Sequence, residues 1–131
     1  MHAGSRIVAI EQNPALYDVL RRRVAGAVLG DVAELAAILD RCGVERVDLV
    51  LSGLPVPSLP RAVNAAVLER LAAEPAVSFS QLTVMPWVYR SLYRRLFCKV
   101  EFRLVAASLP PGGVYHCRGL RDDFRRHIPG Q

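Results

Sequence analysis

The chain has 131 residues, of which 52% are hydrophobic and 22% charged; this suits one globular domain with one core and excludes a disordered chain. Net charge is +5, and of the 17 basic residues only Lys99 is not an arginine, a balance that suits an anionic partner, either nucleic acid or an acidic lipid headgroup. No apolar run reaches the roughly 18 residues needed to cross a bilayer.

Strand-like and helix-like segments alternate along the chain. Residues 6–10 read as a short strand ending on Glu11. Asn13 and Pro14 then open a helix, Asn13 as N-cap and Pro14 in the first turn. Leu16, Leu20 and Val24 recur at helical spacing, and Arg21, Arg22 and Arg23 near its end complement the helix dipole. Residues 27–29 form a second strand, followed by Gly30 and Asp31. Asp31 can cap the next helix, which carries Leu35, Ile38 and Leu39 on one face and stops before Gly43. Residues 47–51 are the most apolar strand and run into Ser52-Gly53-Leu54-Pro55. Residues 61–73 read as a helix with Val63, Val67, Leu68 and Leu71 inward. Residues 76–84 alternate as a strand, with Val77, Phe79 and Gln81 on one face. Residues 87–97 read as a basic helix, and residues 100–106 and 114–117 as a closing antiparallel pair joined by Leu109-Pro110-Pro111-Gly112-Gly113. The pattern predicts an α/β sheet, mostly parallel with an antiparallel C-terminal hairpin. Three of its apolar runs finish in a polar or acidic residue, and carboxyl ends of strands are where open α/β sheets hold ligands.

Cysteines and histidines supply no further constellation. Cys42, Cys98 and Cys117 have no metal-type spacing, and an odd, scattered set predicts reduced, buried thiols in a cytoplasmic protein. Residues 1–6 leave no room for a signal peptide before the first strand, which agrees with that location. His2, His116 and His127 form no catalytic or metal group, and no metal is expected.

The series Ile10-Glu11-Gln12-Asn13-Pro14, Gly30-Asp31 and Asp48-Leu49-Val50-Leu51-Ser52-Gly53-Leu54-Pro55 resembles the class I S-adenosylmethionine-dependent methyltransferases, and among them the bacterial phospholipid N-methyltransferases, which are related to the ribosomal RNA adenine dimethylases. Phe79-Ser80-Gln81-Leu82-Thr83 looks like the family's fifth strand. Ala107-Ser108-Leu109-Pro110-Pro111-Gly112-Gly113-Val114-Tyr115 looks like its Leu-Pro-Pro turn between the last two strands. The likeness spans about residues 6–118 and implies a Rossmann-like sheet with S-adenosylmethionine as cofactor. It implies that Glu11, with Gln12 beside it, accepts the cofactor's ribose hydroxyls, and that Asp31 accepts the adenine amino group. Plain capping and solvated roles remain open for both acids.

The same resemblance makes Ser52, Gly53, Leu54 and Pro55 the catalytic turn. It stands where amino-methylating relatives carry Asn/Asp-Pro-Pro-aromatic, so Ser52 and the Gly53 carbonyl would face the target amine and hold it in line with the methyl group. A tight turn and nothing more is the plainer reading. Val56 follows Pro55 where an aromatic would stack on a flipped adenine. That difference favours a lipid amine such as phosphatidylethanolamine over adenine. The basic segment 87–97, with Trp87, Tyr89 and Tyr93 among arginines, suits an anionic membrane surface or a phospholipid headgroup. An ordinary amphipathic helix is the alternative. Peripheral attachment to the membrane is the matching location.

A family member begins with a strand and a loop of the form Glu-x-Gly-x-Gly-x-Gly. No Gly-x-Gly occurs in this chain, and its first strand corresponds to the family's second. The expectation is therefore one N-terminally truncated methyltransferase-like domain, residues 1–131, missing the first strand and helix. The family's first strand is central, so its absence leaves exposed sheet edges that invite pairing with a second copy or another chain. Two functions stay open: a phospholipid N-methyltransferase, with a ribosomal RNA adenine dimethylase as its nearest variant, and a non-catalytic α/β remnant that acts by association.

Overall fold

The computed structural model describes residues 5–84, 86–105 and 112–130, apart from the side chains of 86–88. The elements in order are β1 (Ala9–Glu11), α1 (Pro14–Leu20), β2 (Ala27–Leu29), a 3₁₀ turn (Val32–Glu34), α2 (Leu35–Arg41), β3 (Leu49–Ser52), a 3₁₀ turn (Val56–Ser58), α3 (Arg61–Ala72), β4 (Ser78–Thr83), α4 (Pro86–Leu96), β5 (Phe97–Val105), β6 (Gly112–Leu120) and a last 3₁₀ turn (Phe124–His127).

Local chemistry accounts for the helix ends. The Asn13 side chain accepts from the Ala15 and Leu16 amides at 2.9 and 3.3 Å, filling two of the donors that a helix start leaves without partners. Asp31 accepts from the Ala33 amide at 2.9 Å, but the turn it caps is 3₁₀, and α2 begins only at Leu35. Gly43 takes φ 68° just beyond α2, a left-handed conformation that glycine adopts without a Cβ clash. The 21–23 arginine run falls past α1, with Arg21 as its C-cap. α1 buries no side chain, and Leu16 is 55% exposed, so the helical spacing of Leu16, Leu20 and Val24 does not mark a core face.

The strands form two sheets among the described residues, where the sequence suggests one. β1 and β2 pair in parallel by themselves; the larger sheet has the order β3-β4-β6-β5. β3 and β4 are parallel, while β6 is antiparallel to both β4 and β5. The two kinds of pairing are thus balanced rather than mostly parallel. Gly26 lets the chain pass close to the segment just before β1: a Cβ there would lie 1.8 Å from the Ile7 carbonyl oxygen. The 3₁₀ turn after β2 and α2 both pack on α3, which joins the small sheet to the large one. The final hairpin is longer than the sequence suggests, with Phe97 already in β5. The expected 109–111 part of its turn lies outside the described residues.

One face of the larger sheet holds the core. Phe79 of β4 and Tyr115 and Cys117 of β6 lie against Leu68 and Leu71 of α3 and Tyr93 and Leu96 of α4. Ring centroids lie 5.8 Å apart for Phe79 and Tyr93, and 5.5 Å apart for Tyr93 and Tyr115, within the range of favourable tilted pairs. The opposite face is mostly exposed, although Ser80 on it is buried, with its Oγ 2.8 Å from His116 Nδ1. The register aligns Leu51, Ser80, His116 and Glu101 across it, and Leu51 is 70% exposed. β3 is an edge strand, so the most apolar strand of the sequence is also one of the most exposed. No helix among the described residues is long and apolar enough to cross a membrane.

Candidate active site

The turn after β3 is held by its own backbone and by β4. The Ser52 hydroxyl accepts from the Leu54 amide at 3.3 Å. The Leu54 carbonyl accepts from the Val56 amide at 2.9 Å and from the Gln81 side-chain amide at 2.9 Å. Two bonds saturate that carbonyl. The Gly53 carbonyl, by contrast, has no protein donor among the described residues, and the space around Gly53 is open. Pro55 accepts from both the amide and the hydroxyl of Ser58, at 3.0 and 3.1 Å. The four residues read together from the sequence thus divide. Ser52 and Gly53 keep acceptor capacity, whereas Leu54 and Pro55 shape the turn.

Behind the turn lies a small apolar cavity of about 30 Å³, bounded by Ser52, Leu54, Asn64, Phe79, Tyr93 and Leu96 among others. That is space for about one water molecule, so a larger ligand has to lie outside it. Val56 is buried and its carbonyl accepts from the Asn64 amide at 3.0 Å; the same Asn64 nitrogen donates to the Pro129 carbonyl at 3.1 Å. Arg61 reaches the Ile128 and Arg125 carbonyls at 2.6 and 3.1 Å. These bonds fasten the C-terminal segment against α3 and the turn.

Gln81, Asn64, Arg61 and Tyr93 support the site without having been singled out for it from the sequence. A signal existed for two of them. Gln81 interrupts the apolar face of an alternating strand, and Asn64 shares a helical stripe with Leu68 and Leu71. A polar residue on a buried face must find partners. Gln81 is fully buried, and its Oε1 has none among the described residues, nor does the Tyr93 hydroxyl.

Glu11 and Asp31 are brought together at the carboxyl ends of adjacent parallel strands. Glu11 pairs with Leu29 in register, and its carbonyl accepts from the Gly30 amide at 3.0 Å. The Glu11 Oε1 accepts from the Asn13 amide at 2.9 Å. Each acid uses one oxygen on a backbone amide, and each is half-buried. A carboxylate offers about four acceptor positions, so both retain capacity for a ligand donor. Gln12 follows as an exposed residue. No hydrogen bond or ion pair among the described residues links this acidic corner to the 52–55 turn.

The core beneath the site is held neutral. Burial pushes the Cys117 thiol up to about 12. Burial also raises Tyr93 far above the ordinary tyrosine value, with smaller contributions from Cys117, Tyr89 and Tyr115. Tyr115 is raised by burial too, against an opposing pull from Arg90 and Arg94. A thiol and phenols that stay protonated at neutral pH serve packing, not nucleophilic attack.

A mixed α/β chain with carboxylates and a turn of free acceptors at its strand ends is compatible with a methyltransferase-like fold. Along nearly its whole length the chain is similar to an ornithine lipid N-methyltransferase of Singulisphaera acidiphila, with 40% identity over 132 residues, covering 95% of this chain and 68% of that protein. It belongs to this family of lipid N-methyltransferases. No family model matches the chain, and no solved structure matches it.

Proposed function

We propose that the protein transfers a methyl group from S-adenosylmethionine to the amine of a membrane lipid, on a class I methyltransferase sheet of Rossmann type. The observation that carries this reading is the 40% identity to a lipid N-methyltransferase across 95% of the chain. The sequence resemblance favours a phospholipid amine such as phosphatidylethanolamine, and the relative's name favours ornithine lipid. Both carry a headgroup amine, and ornithine lipid is the first substrate to test. Val56, buried after Pro55, supports a lipid over a flipped adenine, which would need an exposed stacking ring there.

S-adenosylmethionine supplies an electrophilic methyl group on a positively charged sulfur. Glu11 and Asp31 fit two of its donor groups: Glu11 would accept from the ribose diol and Asp31 from the adenine amine, each through the oxygen its backbone bond leaves over. The 131 residues contain no Gly-x-Gly run to meet the methionine end. At the turn, Ser52 Oγ and the Gly53 carbonyl would accept the two N–H groups of a neutral amine. Its lone pair then points at the methyl carbon. Held this way, the amine would be placed to take the methyl group in line with its bond to sulfur, and the proton of the resulting methylated ammonium would pass to bulk water. Alignment of this kind is the main contribution such a site makes. The saturated Leu54 carbonyl stays out of the reaction and fixes the turn.

Calorimetric titration with S-adenosylhomocysteine, followed by methyl incorporation into ornithine lipid and phosphatidylethanolamine, tests the reading. Micromolar binding weakened at least about tenfold in Glu11→Ala is expected, the scale of a lost charge-assisted hydrogen bond. No heat from folded protein at two temperatures overturns the enzyme reading in favour of a non-catalytic domain. Binding without transfer to either lipid overturns the substrate.

A further inference from the structure

Gln81 of β4 reaches the 52–55 turn from the neighbouring strand. It stands opposite Ser52 in the β3–β4 register and opposite Tyr115 in the β4–β6 register, on the sheet face that packs against α3 and α4. Its side chain is fully buried. The amide nitrogen has two partners, the Leu54 carbonyl at 2.9 Å and the Leu82 carbonyl at 2.8 Å. Both partners are acceptors only, so the orientation of the amide is fixed: the nitrogen faces them, and Oε1 faces away. Oε1 has no partner among the described residues, and a buried acceptor without a donor weakens a fold. Packing alone therefore does not select glutamine here over an apolar side chain of the same shape. What glutamine adds is its two N–H groups, one of which goes to the turn.

That bond decides how many acceptors the turn offers. The Leu54 carbonyl already accepts from the Val56 amide at 2.9 Å, and Gln81 takes its second lone pair. It lies one peptide unit beyond the Gly53 carbonyl, which faces open space. A neutral primary amine has two N–H groups and a lone pair; its ammonium form has three N–H groups and no lone pair. Two acceptors match the neutral form, and only that form can attack a methyl group. A third acceptor at the turn would match the ammonium and hold it unreactive.

We propose that Gln81 is a positioning residue that limits the amine site to two acceptors, Ser52 Oγ and the Gly53 carbonyl, and so selects the neutral amine of the substrate. The proposal rests on the lipid N-methyltransferase reading above. Around Gln81 and the turn, the groups able to carry charge are Tyr93, Arg90 and Arg94 of α4, Tyr115 and Cys117 of β6, and Arg61 at the head of α3. His116 and Glu101 stand on the opposite sheet face. The arginines stay charged, and burial keeps Tyr93, Tyr115 and Cys117 protonated at neutral pH. The substrate amine is then the group at the turn whose charge changes.

The test is the pH dependence of methyl transfer to detergent-dispersed ornithine lipid and phosphatidylethanolamine by wild type, Gln81→Met and Gln81→Glu. Methionine keeps the shape and loses both donors; glutamate places a further acceptor beneath the turn. The rising limb of kcat against pH reports ionisation in the substrate complex. For Gln81→Met it should move up by about one pH unit, which is about a tenfold loss at a fixed pH on the limb. Gln81→Glu should move it further. KM for S-adenosylmethionine should stay within about twofold, because the cofactor's acceptors are elsewhere. Above the limb, Gln81→Met should recover most of the wild-type kcat, which a turn that is merely deformed would not. Val77→Ala, in the same core just before β4, should lower the unfolding midpoint and leave the limb in place. Circular dichroism confirms folding, and the glutamate variant carries the comparison if the methionine variant unfolds. A folded variant whose limb coincides with that of wild type, or whose kcat falls equally at every pH, overturns the proposal. No transfer by wild type to either lipid sinks the enzyme reading and this proposal together; wild-type transfer with an unmoved limb sinks only the proposal.

Discussion

The side-chain amide of Gln81 donates to the Leu54 carbonyl at 2.9 Å, so a fully buried residue of β4 fixes the turn at the end of the neighbouring strand. Gln81 stands opposite Ser52 in the β3–β4 register, and the same amide nitrogen donates to the Leu82 carbonyl at 2.8 Å. The turn's shape is therefore set from the adjacent strand as well as by its own residues.

Replacing Gln81 by leucine should cost about 1–2 kcal/mol, because two carbonyls each lose a donor. Removing an Oε1 that has no partner among the described residues limits the loss. Urea unfolding checks this: the midpoint should fall with an unchanged slope, and the Val56 amide should exchange faster with solvent.

Phe79 stacks on Phe97 at 5.7 Å between ring centroids and tilts against Tyr93 at 5.8 Å. Phe79→Ala should cost about 3–5 kcal/mol, a large part of the roughly 5–15 kcal/mol that holds a domain together. Thermal unfolding should show a collapse in the midpoint for alanine and a much smaller drop for Phe79→Leu.

Asn13→Ala should act locally. The lost cap is worth about 1 kcal/mol, yet α1 buries no side chain. Hydrogen exchange should speed up through α1 while the global unfolding midpoint scarcely moves. The backbone amide of residue 13 remains, so its bond to Glu11 and any cofactor binding through that acid should persist.

The buried thiol gives a pH signature. Cys117 is raised from 9.0 to about 12 by burial; the folded state holds its proton where the unfolded chain has released it. Its contribution to stability is therefore complete below about pH 9 and is lost as pH rises toward 12. Tyr93, raised by burial, acts in the same direction above the ordinary tyrosine value. Urea midpoints from pH 8 to 11 should fall steadily. At pH 8, iodoacetamide should label exposed Cys98 first and Cys117 only on unfolding.

The alternation of strand and helix, the Asn13 cap, the Asp31 cap and the inward face of α3 were all legible in the sequence, because each depends on residues within a turn or two of one another. So were the positions of Glu11, Asp31 and Ser52 at strand ends. Pairing was a different matter. A strand's own residues do not state which edge is filled, and the division into two sheets, the exposure of Leu51 and the mostly exposed face opposite α3 and α4 appear only when distant segments meet. Likewise, the saturation of the Leu54 carbonyl by Gln81 and the placing of Asn64 between Val56 and Pro129 join residues 27 and 65 positions apart. Local sequence determined the elements and their caps through short-range hydrogen bonding and periodic burial; the tertiary structure decided which acceptors at the 52–55 turn are taken by protein donors, because that depends on donors brought in from elsewhere in the chain.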